Sequence, residues 1–541
     1  GYHFPVVLGE ETGKVWNLRK AGLGLLSNIP GDAKPVAVIE DTAVDVNDLP
    51  QFIEDFNKTL AERGLHCVHY AHAATGELHL RPILDLKTQE GTDLFKIVAT
   101  DIAKLVKKYK GSLSGEHGDG RLRGEFIPFM LGEEIYQLFK EVKKTWDPWN
   151  IFNPGKIVDT PSMNTFLRYT PGQNTPELDT VLDFSDTKGI VRAAEMCNGS
   201  GDCRKTEISG GTMCPSYMAT RKEKDATRAR ANILRETITH TDKVNPFDNK
   251  EILEVMDLCL SCKGCKSECP SNVDVAKLKA EAAYQYYKVN GVPLRNKIIG
   301  NTTKINKLFS KTPWLYNGVM ASPIGNLIKQ FSGFSTHRKL PKLAPKTFES
   351  WFKKYEQKGN FENGSVNLFN DEFLNYNDVH IGKKAVELLN RLGYKVIVPK
   401  LVESGRTYLS KGMLDEAKKL ATENINRLKT FADSDQKLIG IEPSAILSFR
   451  DEYIDLSRGE QKALAQKIAA KTFLIEEFLA NEVDAGRIKS SQFTDKTERL
   501  RMHGHCFQKA LSSLVPLKKV LSLPANYTVL NIPSGCCGMA G

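Results

Sequence analysis

Four cysteines with the spacing of an iron–sulfur ligand run lie near the middle of the chain. They are Cys259, Cys262, Cys265 and Cys269, and Pro270 follows the last of them. In two-cluster ferredoxins with this spacing, three thiolates hold one 4Fe-4S cluster, and the cysteine before proline ligates the other cluster. The run therefore predicts further ligands elsewhere in the chain and a role in electron transfer. A structural zinc site is the alternative for the same thiolates.

A second group of cysteines lies upstream, at Cys197, Cys203 and Cys214, and Pro215 follows Cys214. We expect Cys214 to complete the cluster of Cys259, Cys262 and Cys265. The position between Cys197 and Cys203 where a further thiolate would stand holds Ser200, and a hydroxyl is a poor substitute for a soft thiolate. One 4Fe-4S cluster is therefore expected, and a second cluster on Cys197, Cys203 and Cys269 stays open.

A third group, Cys506 with the pair Cys536-Cys537 before Gly538, stands at the end of the chain. It resembles the CCG module of heterodisulfide reductase and glycolate oxidase iron–sulfur subunits. An earlier copy of this module would carry its cysteines near residues 403–406 and 445, where none occurs. Metal binding by the three surviving cysteines and a redox-inert remnant are both compatible with the pattern.

Histidines and a glutamate suggest a different kind of site near the start of the chain. His72 and His79 flank a predicted turn between two β-runs, and Arg81 shares a strand face with His79 because side chains alternate along a strand. Glu116 and His117 lie in a glycine-rich loop. Any one of these histidines alone would be explained by a structural role. Together the residues fit a metal site with an open position for a substrate hydroxyl and carboxylate, beside a histidine base.

Periodicity divides the chain into five predicted segments. Residues 1–158 read as an α+β domain, 159–189 as a linker, 190–290 as a small helical cluster-binding domain, 291–365 as a helical connector and 366–541 as an α/β domain. In the first domain we expect helices over 48–63 and 92–109 and β-runs over 35–39 and 67–84.

Composition restricts the class of protein. The chain has 541 residues and a formal net charge of +10. Basic and acidic residues are mixed over much of the sequence, which favours a solvated surface over nucleic-acid binding. The basic stretch 295–311 suggests peripheral contact with anionic lipid. Without a long apolar run or a secretion signal, we expect a cytoplasmic protein, with membrane association as an open possibility.

Four segments carry a resemblance to a known family. Residues 15–22 (VWNLRKAG), 40–44 (EDTAV), 114–121 (SGEHGDGR) and 152–156 (FNPGK) resemble the C-terminal part of FAD-linked oxidases of the vanillyl-alcohol oxidase type. Followed by an iron–sulfur domain and a CCG tail, this order is similar to bacterial FAD and iron–sulfur D-2-hydroxyglutarate dehydrogenases, with D-lactate dehydrogenases close behind. The resemblance implies a flavin-oxidase cap, a helical ferredoxin-like domain and a CCG-type α/β tail. It also places most of the FAD-binding domain outside this sequence.

The resemblance assigns roles to individual residues. It makes His72, His79 and Glu116 the ligands of a divalent metal, expected to be zinc, His117 the base, and Arg19 the partner of a substrate carboxylate. Related enzymes often have Asn where this chain has Arg81, whose guanidinium suits a further carboxylate.

The function implied is FAD-dependent oxidation of a D-2-hydroxy acid, with D-2-hydroxyglutarate preferred over D-lactate. Electrons would pass through a 4Fe-4S cluster to a quinone or a protein carrier, and the enzyme is expected to be a homo-oligomer. The alternative from another class is a non-catalytic iron–sulfur subunit that accepts electrons from a separate flavoprotein. Zinc accompanying iron in the purified protein would favour the enzyme.

Overall fold

The computed structural model describes residues 6–536, and the chain divides into two compact units, Gly1–Thr175 and Pro176–Gly541. Both units contain helices and sheet. Cys537 and Gly538, predicted above as part of the third cysteine group, lie outside the described residues.

Over its described residues, 6–175, the first unit holds a four-stranded antiparallel sheet and five α-helices. The strands are β1 (Lys34–Pro35), β2 (Thr42–Ala43), β3 (Cys67–His72) and β4 (Glu77–Leu84), and the helices are α1 (Thr12–Ser27), α2 (Leu49–Ala61), α3 (Gln89–Lys108), α4 (Ile127–Leu131) and α5 (Glu133–Trp146). Strand β4 pairs with β1, β2 and β3, so it is the strand on which the sheet is built. The predicted hairpin over 67–84 is confirmed, as are the helices over 48–63 and 92–109 within three residues.

Apolar spacing explains why α3 packs on this sheet. Phe95, Val98, Ile102 and Val106 recur at helical intervals and are buried against β4 and α2. The helix begins at Thr88, whose hydroxyl accepts a hydrogen bond from the Gly91 N–H. The sheet and two helices thus form a rigid base for the hairpin of β3 and β4.

The predicted β-run over 35–39 is mostly wrong. Only its first residue lies in β1; Val36 donates one more hydrogen bond, to Pro82 O at 3.0 Å, and then the chain bends. Val38 and Ile39 are buried in this bend, just before Asp41. Their apolar character therefore reflects burial in the core and not strand pairing.

The second unit begins with helices that surround the cysteines and continues through a helical connector. The helices up to residue 352 are α6 (Ile190–Glu195), α7 (Pro215–Thr220), α8 (Thr227–Thr239), α9 (Lys250–Met256), α10 (Gly264–Glu268), α11 (Val275–Asn290), α12 (Leu294–Gly300), α13 (Thr302–Phe309), α14 (Pro313–Ala321), α15 (Pro323–Phe331) and α16 (Phe348–Phe352). The segment before α6, over residues 159–184, contains neither helix nor strand.

The remainder of the second unit is an α/β arrangement. A parallel sheet of order β6-β5-β7-β8 is formed by β5 (Ser365–Leu368), β6 (Lys395–Ile397), β7 (Leu438–Gly440) and β8 (Thr472–Leu474), and β9 (Glu498–Met502) pairs in parallel with β10 (Tyr527–Asn531). The helices are α17 (Glu372–Tyr376), α18 (Val379–Arg391), α19 (Arg406–Leu409), α20 (Leu414–Arg427), α21 (Lys429–Ala432), α22 (Pro443–Ile446), α23 (Glu452–Asp455), α24 (Gly459–Ala470), α25 (Ile475–Asp484), α26 (Cys506–Leu511) and α27 (Val515–Leu521). Within residues 6–536, none of the helices has both the length and the apolar character that crossing a bilayer requires.

Candidate functional site

The β3–β4 hairpin positions two of the predicted metal ligands. Tyr70 lies opposite His79 in the ladder, and His72 is the last residue of β3. The connection closes through Gly76, whose φ is +73°. A Cβ atom there would lie 1.9 Å from the Val44 carbonyl oxygen, so the turn requires glycine. This close approach fixes the separation of the two histidines.

A buried carboxylate, Asp41, holds the glycine-rich loop against the hairpin. It accepts hydrogen bonds from the backbone N–H groups of Glu116 (2.9 Å) and His117 (3.0 Å), the Ser114 hydroxyl (2.9 Å) and the Arg123 guanidinium (3.1 Å). Burial alone raises the pKa of Asp41, but these donors outweigh it and lower the pKa below its usual value. Asp41 had no role in the sequence-based prediction, because its four partners lie more than 70 residues away in sequence.

The four predicted metal and base residues converge. The Glu116 Oε1 atom lies 3.9 Å from His72 Nε2, 3.7 Å from His79 Nε2 and 3.2 Å from His117 Nε2. One ligand atom from each of His72, His79 and Glu116 can be chosen so that all three lie within 4.8 Å of one another. The Arg19 Nη2 atom lies 3.2 Å from His72 Nε2. A guanidinium only donates hydrogen bonds, so the lone pair of His72 Nε2 accepts from Arg19 in this arrangement and can bind a metal only when Arg19 turns away.

Two other groups in the described part of the chain are equally compact: Glu40 with His79 and His117, and Asp41 with Glu116 and His117. Their carboxylates are already engaged, because Glu40 forms an ion pair with Arg81 and Asp41 holds the loop. Burial lowers the pKa of His79, which favours the neutral imidazole that binds metals. The donor set of two imidazoles and a carboxylate on His72, His79 and Glu116 thus fits a zinc-type ion.

Arg81 is held by neighbouring side chains. Its Nε donates to the Tyr70 hydroxyl at 2.9 Å, and its Nη2 forms the ion pair with Glu40. The Glu40 carboxylate therefore offsets the positive charge of Arg81. Sequence reasoning missed this partner, which comes from the bend before β2. Substrate binding by Arg81 stays a prediction.

These residues line one open pocket with a volume of about 560 Å³, which lies within the size range of small-ligand sites. Its polar lining consists of Arg19, Glu40, His69, Tyr70, His72, His79, Arg81, Glu116 and His117. Leu25, Leu26 and Val68 add an apolar wall. The pocket can hold a small anion beside a metal ligand set and the His117 imidazole.

The second unit brings together the four cysteines predicted to share a cluster. Cys214, Cys259, Cys262 and Cys265 line one small pocket, with α7 starting after the first and α10 carrying the last. A buried arginine, Arg230 of α8, also lines this pocket and donates to Cys214 Sγ at 3.4 Å. Sequence reasoning missed Arg230, because an arginine within an amphipathic helix ordinarily reads as a surface residue.

The cysteines of the possible second cluster are also neighbours. Burial raises the pKa of the Cys203 thiol to about 11, and the nearby Cys197 and Cys269 thiols contribute to this rise. Cys197 and Cys203 are buried, whereas Ser200 is exposed in the loop between them. Three thiols are thus available at this place, and Ser200 does not join them in the buried interior.

The third group lies against the first cluster site. The Cys262 thiol shares a hydrogen bond with the Cys536 side chain. This hydrogen bond is the main reason why the pKa of Cys262 is raised. Cys506 is fully buried at the start of α26, which packs against α10. The end of the described chain therefore reaches the loop of Cys259, Cys262 and Cys265, the predicted cluster ligands.

Comparison with known proteins identifies both cofactor-bearing regions. Residues 6–157 match the family described as FAD linked oxidases, C-terminal domain, and residues 196–274 match the family described as 4Fe-4S dicluster domain. The first match covers the histidine and glutamate pocket, and the second covers the seven cysteines from Cys197 to Cys269.

The chain is 28% identical to the D-2-hydroxyglutarate dehydrogenase of Pseudomonas putida and 26% identical to that of Escherichia coli, over 98% of its own length in both cases. It spans 55% of the length of each. A mitochondrial D-lactate dehydrogenase [cytochrome] of Arabidopsis thaliana is 30% identical over 28% of the chain and 26% of the plant protein. The resemblance seen in the motifs is therefore confirmed for two regions: residues 6–157 carry an FAD-linked oxidase C-terminal domain and residues 196–274 a 4Fe-4S dicluster domain. The chain is also similar over nearly its whole length to D-2-hydroxyglutarate dehydrogenases. The vanillyl-alcohol oxidase type of the first domain and the CCG tail stay predictions.

Proposed function

We propose that the protein oxidises a D-2-hydroxy acid, with D-2-hydroxyglutarate as the preferred substrate and 2-oxoglutarate as the product. The observation that carries this proposal is the convergence of His72, His79, Glu116 and His117 in one pocket with Arg19. The similarity to D-2-hydroxyglutarate dehydrogenases supports the choice of substrate.

The pocket residues divide the work. His72, His79 and Glu116 would hold zinc, which when bound polarises a coordinated hydroxyl and carboxylate, while FAD supplies the two-electron acceptor. His117, on the rim beside Glu116, is the base that takes the hydroxyl proton. Asp41 keeps His117 in reach by holding its backbone N–H. Arg19, exposed on α1 and turned to His72, pairs with the substrate carboxylate.

Arg81 determines how a second carboxylate is received. Glu40 already neutralises the charge of Arg81. Arg81 can therefore bind a carboxylate only through those guanidinium N–H groups that do not donate to Glu40 or Tyr70. This arrangement supports D-2-hydroxyglutarate through hydrogen bonding in a fixed geometry. D-lactate, which lacks the second carboxylate, is the second candidate and is supported by the similarity to D-lactate dehydrogenase.

Electrons leave through the second unit. Cys214, Cys259, Cys262 and Cys265 would hold a 4Fe-4S cluster, and the dicluster description of the matching family supports a further cluster on Cys197, Cys203 and Cys269. Ser200 leaves that further cluster one cysteine short among the ligands predicted from spacing. The acceptor would be a quinone or a protein carrier, and the enzyme is proposed to be a homo-oligomer.

A non-catalytic electron carrier is the second functional class. Such a subunit has no use for a metal ligand set beside a free imidazole and an arginine, so the first-unit pocket disfavours it. The two readings differ in whether the protein itself reacts with substrate.

The test is anaerobic mixing of the full-length, flavin-replete protein with D-2-hydroxyglutarate or D-lactate. We expect bleaching of the flavin and the electron paramagnetic resonance signal of a reduced cluster, with D-2-hydroxyglutarate the better reductant. His117→Ala should abolish both signals while keeping zinc and iron. His240→Ala, an exposed histidine paired with Glu236 on α8, is the control and should behave as wild type. If neither acid bleaches the flavin while a separate reduced flavoprotein reduces the cluster, the protein is a non-catalytic electron carrier and the proposed enzymatic activity is wrong.

A further inference from the structure

The connector between the cluster domain and the α/β domain has an unusual charge. From Gly291 to Phe348 the sequence contains ten lysines and arginines and no aspartate or glutamate. These ten residues equal the formal net charge of +10 of the entire chain, so the rest of the sequence is balanced. A charge confined to one segment indicates an electrostatic partner for that segment.

The same segment exposes an apolar helix face. On α15, Ile324, Leu327, Ile328 and Phe331 follow the i, i+3, i+4, i+7 pattern that ordinarily marks a buried stripe. All four are exposed, with Leu327 at 61% and Phe331 at 90% of full exposure. On the neighbouring α14, Trp314 is 74% exposed. Scattered apolar residues on a surface are ordinary, but a complete amphipathic stripe facing outward marks an interaction surface.

The length of the two helices distinguishes how they could meet lipid. Helices α14 and α15 have nine residues each and pack against each other. At about 1.5 Å per residue each is roughly 14 Å long, less than half of the ~30 Å hydrocarbon thickness. The short amphipathic helix α15, with the exposed Trp314 on the neighbouring α14, has the features of a helix that lies in the membrane interface.

Basic side chains precede and follow these two helices in the sequence. Lys304 and Lys307 on α13 and Lys311 just after it are exposed, and Leu308 among them is exposed as well. After α15, Arg338 and Lys339 are also exposed. Anionic headgroups would pair with these charges while the acyl region received the apolar stripe. A nucleic acid would match the charges but offers no place to bury Phe331 and Leu327.

We propose that helices α13, α14 and α15 form a docking surface for an anionic lipid bilayer, with Trp314, Ile324, Leu327, Ile328 and Phe331 inserted into the interface and the flanking lysines and arginines on the headgroups. The surface belongs to the second unit, which also carries the iron–sulfur cysteines. Docking would bring the electron-carrying unit to the membrane, where a lipid-soluble acceptor can reach it. The proposal stands independently of the identity of the hydroxy acid.

The experiment is co-sedimentation of the full-length protein with phosphatidylcholine vesicles prepared with or without phosphatidylglycerol. We expect binding to the anionic vesicles that weakens with added salt, and little binding to the neutral ones. The double variant Leu327→Glu/Phe331→Glu should lower the partition coefficient by at least about tenfold, since it removes two inserted side chains and adds two repelled charges. Brominated acyl chains should quench part of the fluorescence of the wild type and less of that of Trp314→Phe.

The matched control is Val244→Glu/Val515→Glu, which introduces the same charge change at two exposed apolar residues outside α13, α14 and α15 (106% and 72% exposed). It should bind vesicles as the wild type does. The proposal is overturned if the wild type ignores anionic vesicles, or if both double variants lose binding equally. It is also overturned if the wild-type protein binds duplex DNA and not vesicles. A third contradicting outcome is that Leu327→Glu/Phe331→Glu reduces the oligomeric state of the protein without changing its binding to lipid.

Discussion

At the scale of single residues, the most informative side chain is Arg230, a buried cation beside Cys214, a proposed cluster ligand. Its guanidinium donates to Cys214 Sγ, and such hydrogen bonds and charges set the potential of an iron–sulfur cluster. Removing the charge in Arg230→Gln should make the cluster harder to reduce. A charge at about 4 Å contributes on the order of 4 kcal/mol at an effective dielectric of 20, which corresponds to a shift of roughly 170 mV for one electron.

A potentiometric titration followed by electron paramagnetic resonance measures this shift. Arg230→Lys keeps the charge and should retain most of the wild-type potential, whereas Arg230→Gln should move it to more negative values. Iron content and circular dichroism identify a variant that has lost its fold. An unchanged potential in a folded, iron-loaded Arg230→Gln protein would show that Arg230 has no influence on the cluster.

At the scale of elements, the β3–β4 hairpin depends on one glycine. Gly76→Ala must accommodate both a positive φ and a Cβ atom 1.9 Å from the Val44 carbonyl oxygen. Gly64 is the matched control, since its φ is +66° and nothing lies within 4 Å of the added Cβ. We expect Gly64→Ala to cost about 1 kcal/mol of unfolding free energy and Gly76→Ala at least about 3 kcal/mol.

Urea unfolding and zinc content provide the two measurements for this pair. Because Gly76 sets the separation of His72 and His79, Gly76→Ala should also lose zinc, whereas Gly64→Ala should retain it. Equal losses of stability in the two variants would mean that the backbone at Val44 shifts at little energetic cost to accept the added Cβ atom. The turn would then not fix the positions of His72 and His79.

Helix α25 offers a prediction about acid stability in the second unit. Its buried Glu482 accepts from Lys437 at 2.9 Å, from Arg487 and from the Tyr394 hydroxyl. Burial raises the pKa of Glu482, but these donors outweigh it and bring the pKa to about 2, against 4.5 ordinarily. When the pKa of a carboxyl group is lower in the folded state than in the unfolded state, its ionisation stabilises the fold at pH values above the unfolded-state pKa. This contribution is lost as the pH falls toward the folded-state pKa.

Glu482→Gln should therefore cost on the order of 2 kcal/mol near neutral pH, and the difference from wild type should shrink between about pH 5 and pH 2. Chemical unfolding at a series of pH values measures it. Glu423→Gln, which breaks only the exposed pair of Glu423 with Arg427 on α20, should cost about 0.5 kcal/mol or less. A pH-independent difference for Glu482→Gln would indicate a packing effect and not a charge effect.

At the scale of the whole molecule, patterns of local origin could be predicted and contacts between distant segments could not. The spacing of Cys259, Cys262 and Cys265 and the apolar period of α3 are local, so the ligand run and the helix were foreseen. Asp41 and Arg230 contact segments that are distant in sequence, so neither the apolar periodicity nor the residue spacing predicts their roles. The bend at Val38 and Ile39 shows the same limit, because burial by tertiary packing imitates a strand pattern.

The division of the chain into two units leads to the last prediction. The proposed zinc ligands all precede residue 175, and the cluster cysteines all follow residue 176. Between Gly172, which donates to Lys87 O in the first unit, and Val181, which donates to Glu281 in the second, the described chain has no helix or strand. A specific protease sequence inserted between Pro176 and Glu177 should therefore be tolerated and cleaved.

After cleavage under anaerobic conditions, ion exchange should separate two folded fragments. We expect zinc to remain with the fragment before the cut and iron with the fragment after it, because each proposed ligand set is complete on its own side of the cut. The uncleaved insertion variant is the control and should contain both metals in wild-type amounts. Release of zinc on cutting would show that the second unit contributes to the zinc site. Iron on the fragment before the cut would refute the proposed cysteine ligands. Retention of each metal would establish that the two units fold separately and that each holds its own metal site.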